Sequence, residues 1–598
     1  MKYSGTSLAE LCNRGARIFK SYGFKYFIQR IWKYLRRRGW RSVAAGEDLN
    51  TQYRKWLAKT KGKQRDVSQI NPDVETSKIS IILPVVNPDT YSLQKAIESL
   101  IDQTSPYWDL YLVHGISSEE KVIELLNKLA AKDNRFNIIR HYEEQGRTKA
   151  LNNLIAEINT EYLLFMSPEG VLHPWALTFF QQAIKEDRGL DFLYGDEDSL
   201  DEGSRERVQP WFKPEWSPYL LHSFNYVGYP LVIRKNLFEQ VGGFREGYEN
   251  CDTYDLLLRM TDLPLKVKRI PDILFSRIIS NSITDQLTLE KAVNESSMAV
   301  KESLARKGYT ASVEYSPSKG VFSYRVSINK SDKISIIIPT KDNGEVLQRC
   351  LESILNKSTY CNYELIIIDN GSTDSLTLDY LASLENKKLI HVLRYPGEFN
   401  YPLINNFGAA GAAGRHLVFL NDDTEILSSD WLEAMLEFSQ MSDVGAVGGL
   451  LLFPNELIQH AGIVLGIRGS ASHAFYKCEE GHEGFYRLLN CVRNVSAVTA
   501  ACMMIEKEKF LRVGGFDAKF KVGMNDVDLC LRLNQQGYQN IYTPHVRLMH
   551  YESLTRGEYV VQAELDLFVT VYRDKINLGD PYYHPYLSLE RNDYSLAV

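Results

Sequence analysis

The heptapeptide FLNDDTE (Phe419–Glu425) sets two adjacent carboxylates, Asp422 and Asp423, directly after the apolar run RHLVFL. Adjacent carboxylates on a tight loop suit a hard divalent cation: Mg2+ or Mn2+ takes one or two of them and completes its shell with water and phosphate oxygens. Capping of the next helix is the bland alternative, but Ser428, Ser429 and Asp430 stand closer to that helix's start. A cation beside a nucleotide-sized crevice steadies a diphosphate as it becomes a leaving group, and the reaction then needs a base for the incoming nucleophile. GMNDVDLCLR (Gly523–Arg532) offers Asp526 at the start of an apparent helix, with Asp528 two residues on and pointing elsewhere. The structural alternative for Asp526 is an acid favoured by the helix dipole. Further on, LMHYESLTRG (Leu548–Gly557) adds His550, either a metal ligand, a phosphate donor or a structural histidine, and Arg556, either a diphosphate clamp or a surface cation.

These groups need elements that bring them together, and a repeat supplies them. KISIILPVVN (Lys78–Asn87) returns as KISIIIPTKD (Lys333–Asp342) about 255 residues later, a period far too long for a solenoid. AIESLI at Ala96 then echoes in CLESIL at Cys350, VGGF at Val241 in VGGF at Val513, and YDLLLR at Tyr254 in VDLCLR at Val527, always in the same order. Each copy opens with an unbroken Ile/Leu/Val run, an amphipathic stretch and a second apolar run, which predicts strands buried on both faces and joined by helices in parallel β/α units. Ligands bind such sheets at the carboxyl ends of the strands. The second copy places polar loops there three times: PTKDN (Pro339–Asn343), DNGSTD (Asp369–Asp374) and NDDTE (Asn421–Glu425).

Taken in this order, the loops of the second copy resemble glycosyltransferase family 2, the inverting nucleotide-sugar transferases of GT-A fold. IIIPTKDN is similar to the family's opening strand, IIIDNGSTD to its nucleotide loop, LNDD to its DxD metal motif and MNDVDLCLR to its base motif; HAGIVLG, NVSAVTAAC and YESLTRG narrow the likeness to two-module transferases of O-antigen and capsule assembly. The resemblance implies a nucleotide-sugar site built from Pro339, Thr340, Asp342, Asp369, Asn370, Asn421, Asp422 and Arg556. In it Asp369 holds the nucleotide base, Asn421 and Asp422 serve the ribose and phosphate side, Asp423 takes Mg2+ or Mn2+, with His550 the candidate second ligand by residue type, and Asp526 is the catalytic base. Asn370 and Asn525 stand where the family usually has Asp and Glu. The Gln-x-x-Arg-Trp motif of processive members is missing, which implies addition of one sugar or very few.

The first copy departs at the same three places. FMSPEGV (Phe165–Val171) replaces FLNDDTE, LVHGISSE (Leu112–Glu119) replaces IIDNGSTD, and Thr253 stands where the second copy has Asp526. A folded but catalytically silent module is expected. The acidic run Asp196, Glu197, Asp198 reads either as a binding feature, for acceptor or cation, or as a solvated loop.

Residues 1–65 hold 17 Lys/Arg against 3 Asp/Glu in a chain of formal net charge -6. Within Arg17–Arg41, Phe24, Phe27, Ile28, Ile31 and Leu35 recur at helical spacing without an apolar run long enough to span a bilayer. The segment reads as an interfacial membrane helix or as a helix packed on the protein's own body. The early charges and the lack of a small-residue cleavage site argue against a secretory signal. Eight cysteines without a CxxC pair suggest neither a zinc ribbon nor a disulfide framework and fit a reducing cytosol. FGAAGAAGRH (Phe407–His416) precedes a strand and is not GxGxxG, so a dehydrogenase is disfavoured, and its small residues suit close packing of a helix on the sheet. No nucleic-acid module is recognisable.

The expectation is an α/β chain of two tandem GT-A-like (Rossmann-like) domains: a basic helical segment over 1–75, a silent domain over 76–330 and an active one over 331–598. It would move a sugar from a UDP-, dTDP- or GDP-linked donor to a saccharide or lipid-linked oligosaccharide acceptor, in the cytoplasm, with peripheral contact to the inner membrane through residues 17–41. A non-catalytic carbohydrate- or nucleotide-binding scaffold is the alternative, and it predicts decay of the second copy as well as the first.

Overall fold

The computed structural model describes residues 48–60, 77–85, 89–115, 120–130, 133–141, 146–279, 286–479, 485–551 and 562–597. The basic stretch 17–41 and Arg556 lie outside the described residues.

Two sheets of one design carry the chain. In the first, β1 (Ile79–Val85), β2 (Trp108–Gly115), β3 (Phe136–His141), β4 (Tyr162–Phe165), β5 (Gly170–Leu172), β6 (Phe192–Asp201), β7 (Leu231–Arg234) and β8 (Val267–Ile279) lie in the order β3-β2-β1-β4-β7-β6-β8-β5. In the second, β9 (Ile334–Thr340), β10 (Tyr363–Asp369), β11 (His391–Arg394), β12 (His416–Leu420), β13 (Thr424–Ile426), β14 (Val444–Leu452), β15 (Cys502–Glu506) and β16 (Gln539–His550) take the order β11-β10-β9-β12-β15-β14-β16-β13. Each second-sheet strand thus sits eight labels on from its counterpart. β9 runs parallel to both β10 and β12, as β1 does to β2 and β4, while β15 and β7 enter antiparallel. Ile81–Leu83 and Ile336–Ile338 are all fully buried, which is why these runs are continuous rather than alternating. This is the expected α/β architecture of two tandem GT-A-like modules.

Two devices recur in both modules and explain motifs that the sequence only repeats. In each VGGF the second glycine has positive φ, +66° at Gly243 and +69° at Gly515, and a Cβ there would lie 2.7 Å from the Oδ1 of Asn152 or Asn406. Those asparagines clamp the following residue: Phe244 N donates to Asn152 Oδ1 and Asn152 Nδ2 to Phe244 O, both 2.9 Å, and Asn406 holds Phe516 in the same way at 3.0 and 2.9 Å. In each DLxLR the acid and arginine close on themselves. Asp528 accepts Arg532 Nε and Nη2 at 2.9 and 2.7 Å, and Asp255 accepts Arg259 Nε at 3.0 Å. Asp528, bonded also to the Tyr572 hydroxyl at 2.6 Å, therefore belongs to the scaffold. The glycine-rich stretch does pack a helix closely, since a Cβ on Gly408 would lie 2.7 Å from Ile337 and 2.9 Å from Ile368.

The modules share one continuous core and are tied by polar contacts across it. Ser217 Oγ donates to Asn494 Oδ1 (2.8 Å), Tyr219 Oη to Asp443 Oδ1 (2.9 Å), and Arg325 to Glu437 and Asp430 (both 2.6 Å).

Candidate active site

The three polar loops of the second module converge at the carboxyl edge of β9, β10 and β12. Register sets Thr340 beside Asp369 and Ile337 beside Phe419, so three residues on from Ile337 Thr340 meets Asp422, and its hydroxyl donates to Asp422 Oδ2 at 2.8 Å. Asn343 reaches the same oxygen at 3.4 Å. Asp369 is buried and accepts the Ser372 amide at 2.8 Å. Asp342 has a loop-building role: it accepts the amides of Thr373 (2.5 Å) and Asp374 (2.8 Å), and these bonds hold its carboxyl below the usual range. Pro339 lies one residue before Thr340 in β9, where it pairs with Ile368.

Both departures from the family pattern have a local reason. Asn370 donates from Nδ2 to Gly397 O (2.8 Å) and Tyr395 O (3.3 Å), and Asn525 donates to Val522 O (3.2 Å) and Phe520 O (3.3 Å). A carboxylate in either place would face carbonyl oxygens that it cannot satisfy.

Asp423 and His550 meet where β13 pairs antiparallel with β16. His550 Nε2 lies 3.0 Å from Asp423 Oδ1, and both residues are buried. His550 Nδ1 is 2.6 Å from Gln459 Oε1, an acceptor, so in the neutral ring the proton sits on Nδ1. Nε2 then carries the lone pair, which takes the Asn421 side-chain amide at 3.3 Å and which a cation would take in its place, and Asp423 Oδ1 is a buried oxygen with no hydrogen-bond partner. Two lone-pair atoms 3.0 Å apart with no proton between them fit a cation. An acceptor behind the imidazole is the usual support of a ligating histidine. Among the described residues no group of three His, Cys, Asp or Glu gathers around such a position. Two protein donors, with water and substrate phosphate completing the shell, match Mg2+ or Mn2+.

Asp526 begins the helix Asn525–Gln535 behind Met524, whose φ of 62° turns the chain into it. Its carboxylate is half-buried and accepts the amides of Ala500 (3.2 Å) and Val527 (2.8 Å). The approach loop is fixed by buried Glu564, which accepts the amides of Val522 (3.1 Å) and Gly523 (2.8 Å). Tyr401, whose hydroxyl donates to Ala500 O at 3.0 Å, is held far above the usual phenol range by burial first and the Asp526 charge second. One residue further on, Ala501 O accepts the Asn421 amide at 3.1 Å, so the carboxylate loop and Asp526 share a support. Gln459 and Glu564 were invisible in the sequence, because each acts through a partner dozens of residues away, and the Thr499–Ala501 turn, although it lies within NVSAVTAAC, had no role that the sequence could assign.

In the first module the same registers carry other chemistry. β5 pairs with β8 so that Gly170 faces Arg277, just as Thr424 faces His550. Arg277 therefore stands at the position of His550 and exposed Glu169 at that of Asp423. A guanidinium has no lone pair to offer a metal. Both readings of the acidic run as a binding feature or a solvated loop are corrected. Asp196 is buried against Lys213 N (2.9 Å) and His584 Nε2 (2.7 Å). Asp198 is buried against the Tyr53 hydroxyl and Arg207 Nε (both 2.6 Å), and Glu197 accepts the Tyr229 amide (3.1 Å) and the fully buried Lys213 Nζ (3.3 Å).

Two tandem α/β modules, the second with three polar loops at one sheet edge, have the architecture of a glycosyltransferase. Residues 80–242 and 335–510 match the family described as Glycosyl transferase family 2, and the chain belongs to that family. It is 35% identical to the uncharacterized protein y4gI of Sinorhizobium fredii (strain NBRC 101917 / NGR234), over 87% of this chain and 58% of that one. It is 34% identical to the O-antigen biosynthesis protein RfbC of Myxococcus xanthus, over 87% of this chain and 41% of that one. To the N-acetylglucosaminyl-diphospho-decaprenol L-rhamnosyltransferase of Mycobacterium tuberculosis (strain ATCC 25618 / H37Rv) it is 26% identical, over 38% of this chain and 78% of that one. The chain thus spans about half the length of the first two relatives.

Proposed function

We propose that the chain is an inverting, metal-dependent glycosyltransferase of cell-surface polysaccharide assembly, with its chemistry in the second module alone. The observation that carries this reading is the junction of Asp423 Oδ1 and His550 Nε2, two lone-pair atoms 3.0 Å apart, on a carboxylate loop that shares the Thr499–Ala501 turn with Asp526. Asp526 takes the proton of an acceptor hydroxyl while that oxygen bonds to the anomeric carbon. The bond from that carbon to the nucleoside diphosphate breaks, and its electron pair leaves with the phosphate oxygen. One displacement inverts the centre. Asp423 and His550 would hold the cation, which when bound supplies positive charge to a departing diphosphate.

Asp369, Asn370, Thr340, Pro339, Asp342, Asn421 and Asp422 form the donor side, with a UDP-, dTDP- or GDP-linked sugar as ligand. Arg556 is proposed as a phosphate clamp. The names of the O-antigen biosynthesis and rhamnosyltransferase relatives support a saccharide or lipid-linked saccharide acceptor. Among the described residues no helix is long and apolar enough to cross a membrane. Contact with the cytoplasmic face of the inner membrane through residues 17–41 is part of the proposal.

Donor turnover tests it: the protein is incubated with Mn2+, a panel of UDP-, dTDP- and GDP-sugars and a panel of free and lipid-linked saccharide acceptors, and released nucleoside diphosphate is measured. Asp526→Asn should abolish release while donor binding, read by calorimetry, persists with one site per chain. Full turnover in that variant refutes the assignment of the base, and two donor sites per chain refute the silent first module.

A further inference from the structure

His460 touches neither the carboxylate loop nor Asp526, yet it closes the bracket that holds both. It ends the short strand Ile458–His460, which pairs with β14, and it is fully buried. Its neighbour in sequence, Gln459, is the acceptor behind His550. His460 Nε2 accepts the amide of Gly462 at 3.2 Å and that of Thr499 at 3.5 Å. With two N–H groups aimed at Nε2, the ring proton belongs on Nδ1, which lies 2.9 Å from Nδ1 of His473 and donates to it. Burial, followed by the charges of His473, Arg493 and His550, holds the imidazole well below its ordinary range, so it stays neutral and keeps that acceptor.

Three consecutive residues then lead from this imidazole to the reaction. Thr499 gives its amide to His460, Ala500 gives its amide to Asp526 Oδ2 at 3.2 Å, and Ala501 takes the Asn421 amide on its carbonyl at 3.1 Å. Tyr401 clasps the same turn from outside, hydroxyl to Ala500 O at 3.0 Å. A turn with its first amide unanchored is free to rotate, and the amide that orients the base would move with it. Misplacement by about 1 Å far from the reacting atoms is enough to cost about 100-fold in rate.

We infer that His460 is a positioning residue for glycosyl transfer, fixing the Thr499–Ala501 turn so that Asp526 and the Asp422–Asp423 loop keep one mutual geometry. The inference rests on the transferase reading above.

Two variants test it. His460→Leu keeps bulk but removes the acceptor, whereas His460→Gln puts a carbonyl oxygen as many bonds from Cβ as Nε2. Turnover is followed with whichever nucleotide sugar of the panel the wild type consumes, and hydrogen exchange is read on peptides spanning residues 496–504. The Leu variant should lose about 10- to 100-fold in kcat with donor affinity within twofold of wild type, and its 496–504 peptides should exchange faster. The Gln variant should recover most of both. A Leu variant as active as wild type, or one whose 496–504 exchange is unchanged, overturns the inference. So does a loss of kcat that Gln fails to rescue. Wild-type protein that turned over no donor would instead refute the transferase reading itself.

Discussion

Replacing Gln459 by leucine asks whether His550 faces a metal ion or closes a private ion pair with Asp423. The side chains are similar in volume, so the main loss is the acceptor 2.6 Å from His550 Nδ1. With that acceptor the neutral ring carries its proton on Nδ1. Without it the other tautomer gains, because Nε2–H can then donate to Asp423 Oδ1 at the present 3.0 Å separation. The Gln459 bond contributes about 1 kcal/mol to the Nδ1 tautomer, so its loss shifts the balance by about that much toward a closed pair, whose bond to the carboxylate contributes about 1.5–3 kcal/mol. Both lone pairs are then consumed. Loss of such a supporting contact typically weakens metal binding about 10–100-fold, and the smaller end is expected here. Free Mn2+ measured by electron paramagnetic resonance during titration of wild type, Gln459→Leu and Gln459→Glu gives the answer without any turnover. The glutamate variant retains an acceptor and should bind within a few fold of wild type. Mn2+ binding by Gln459→Leu equal to wild type would refute the reasoning and leave Asp423 and His550 as an ion pair.

Gly515→Ala and Gly243→Ala should each cost about 2–4 kcal/mol, from a side chain at positive φ and displacement of the clamping asparagine, in urea unfolding; a neutral effect at either would discredit the shared clamp. Tyr53→Phe removes the hydroxyl that donates to buried Asp198 at 2.6 Å and should cost about 1.5–3 kcal/mol, with faster proteolysis of the Leu49–Thr60 helix as its local sign; unchanged cleavage there would count against the tether. Burial pushes the fully buried His416 down to about 4 from its ordinary 6.5. The folded state therefore disfavours its proton, the contribution is complete above pH 6.5, and it is lost as the pH falls toward 4. At pH 5.5 the loss is about 1.4 kcal/mol, so the acid-induced drop in urea midpoint should shrink by that much in His416→Leu; parallel pH profiles would refute the assignment.

Much of this molecule is written locally and was legible for that reason. Ile79–Leu83 and Ile334–Ile338 announce doubly covered strands by unbroken hydrophobicity, and their colinear echoes announce the duplication. Asp528 was separable from Asp526 because a helix turns one inward and the other to the cleft. Residues whose role depends on sheet register were not legible. Arg277 and His550 share no surrounding motif, and only the pairing of Gly170 with Arg277 and of Thr424 with His550 shows that one replaces the other. The acidic run misled for a related reason: three acids in a row read as exposed until their partners at Tyr53, Lys213, Arg207 and His584 are brought in by tertiary folding.

The contrast between the modules has a physical logic. Counting along the matching registers sets Asp196, Glu197 and Asp198 level with Leu450, Leu451 and Leu452, which are buried apolar residues of β14. The first module carries charge where the second has plain core, and the second carries the carboxylates of its proposed site, Asp422 and Asp526, where the first has Pro168 and Thr253. A buried charge is tolerable only when every partner is in place, and here two of the partners, Tyr53 and His584, come from the helix before the first module and the segment after the second. The acids of the first module thus hold distant parts of the chain against it, and on the proposed reading those of the second are left for substrate. On the proposed division of labour, a module relieved of catalysis can bury its charges in this way, whereas one that must present a carboxylate to an acceptor hydroxyl cannot.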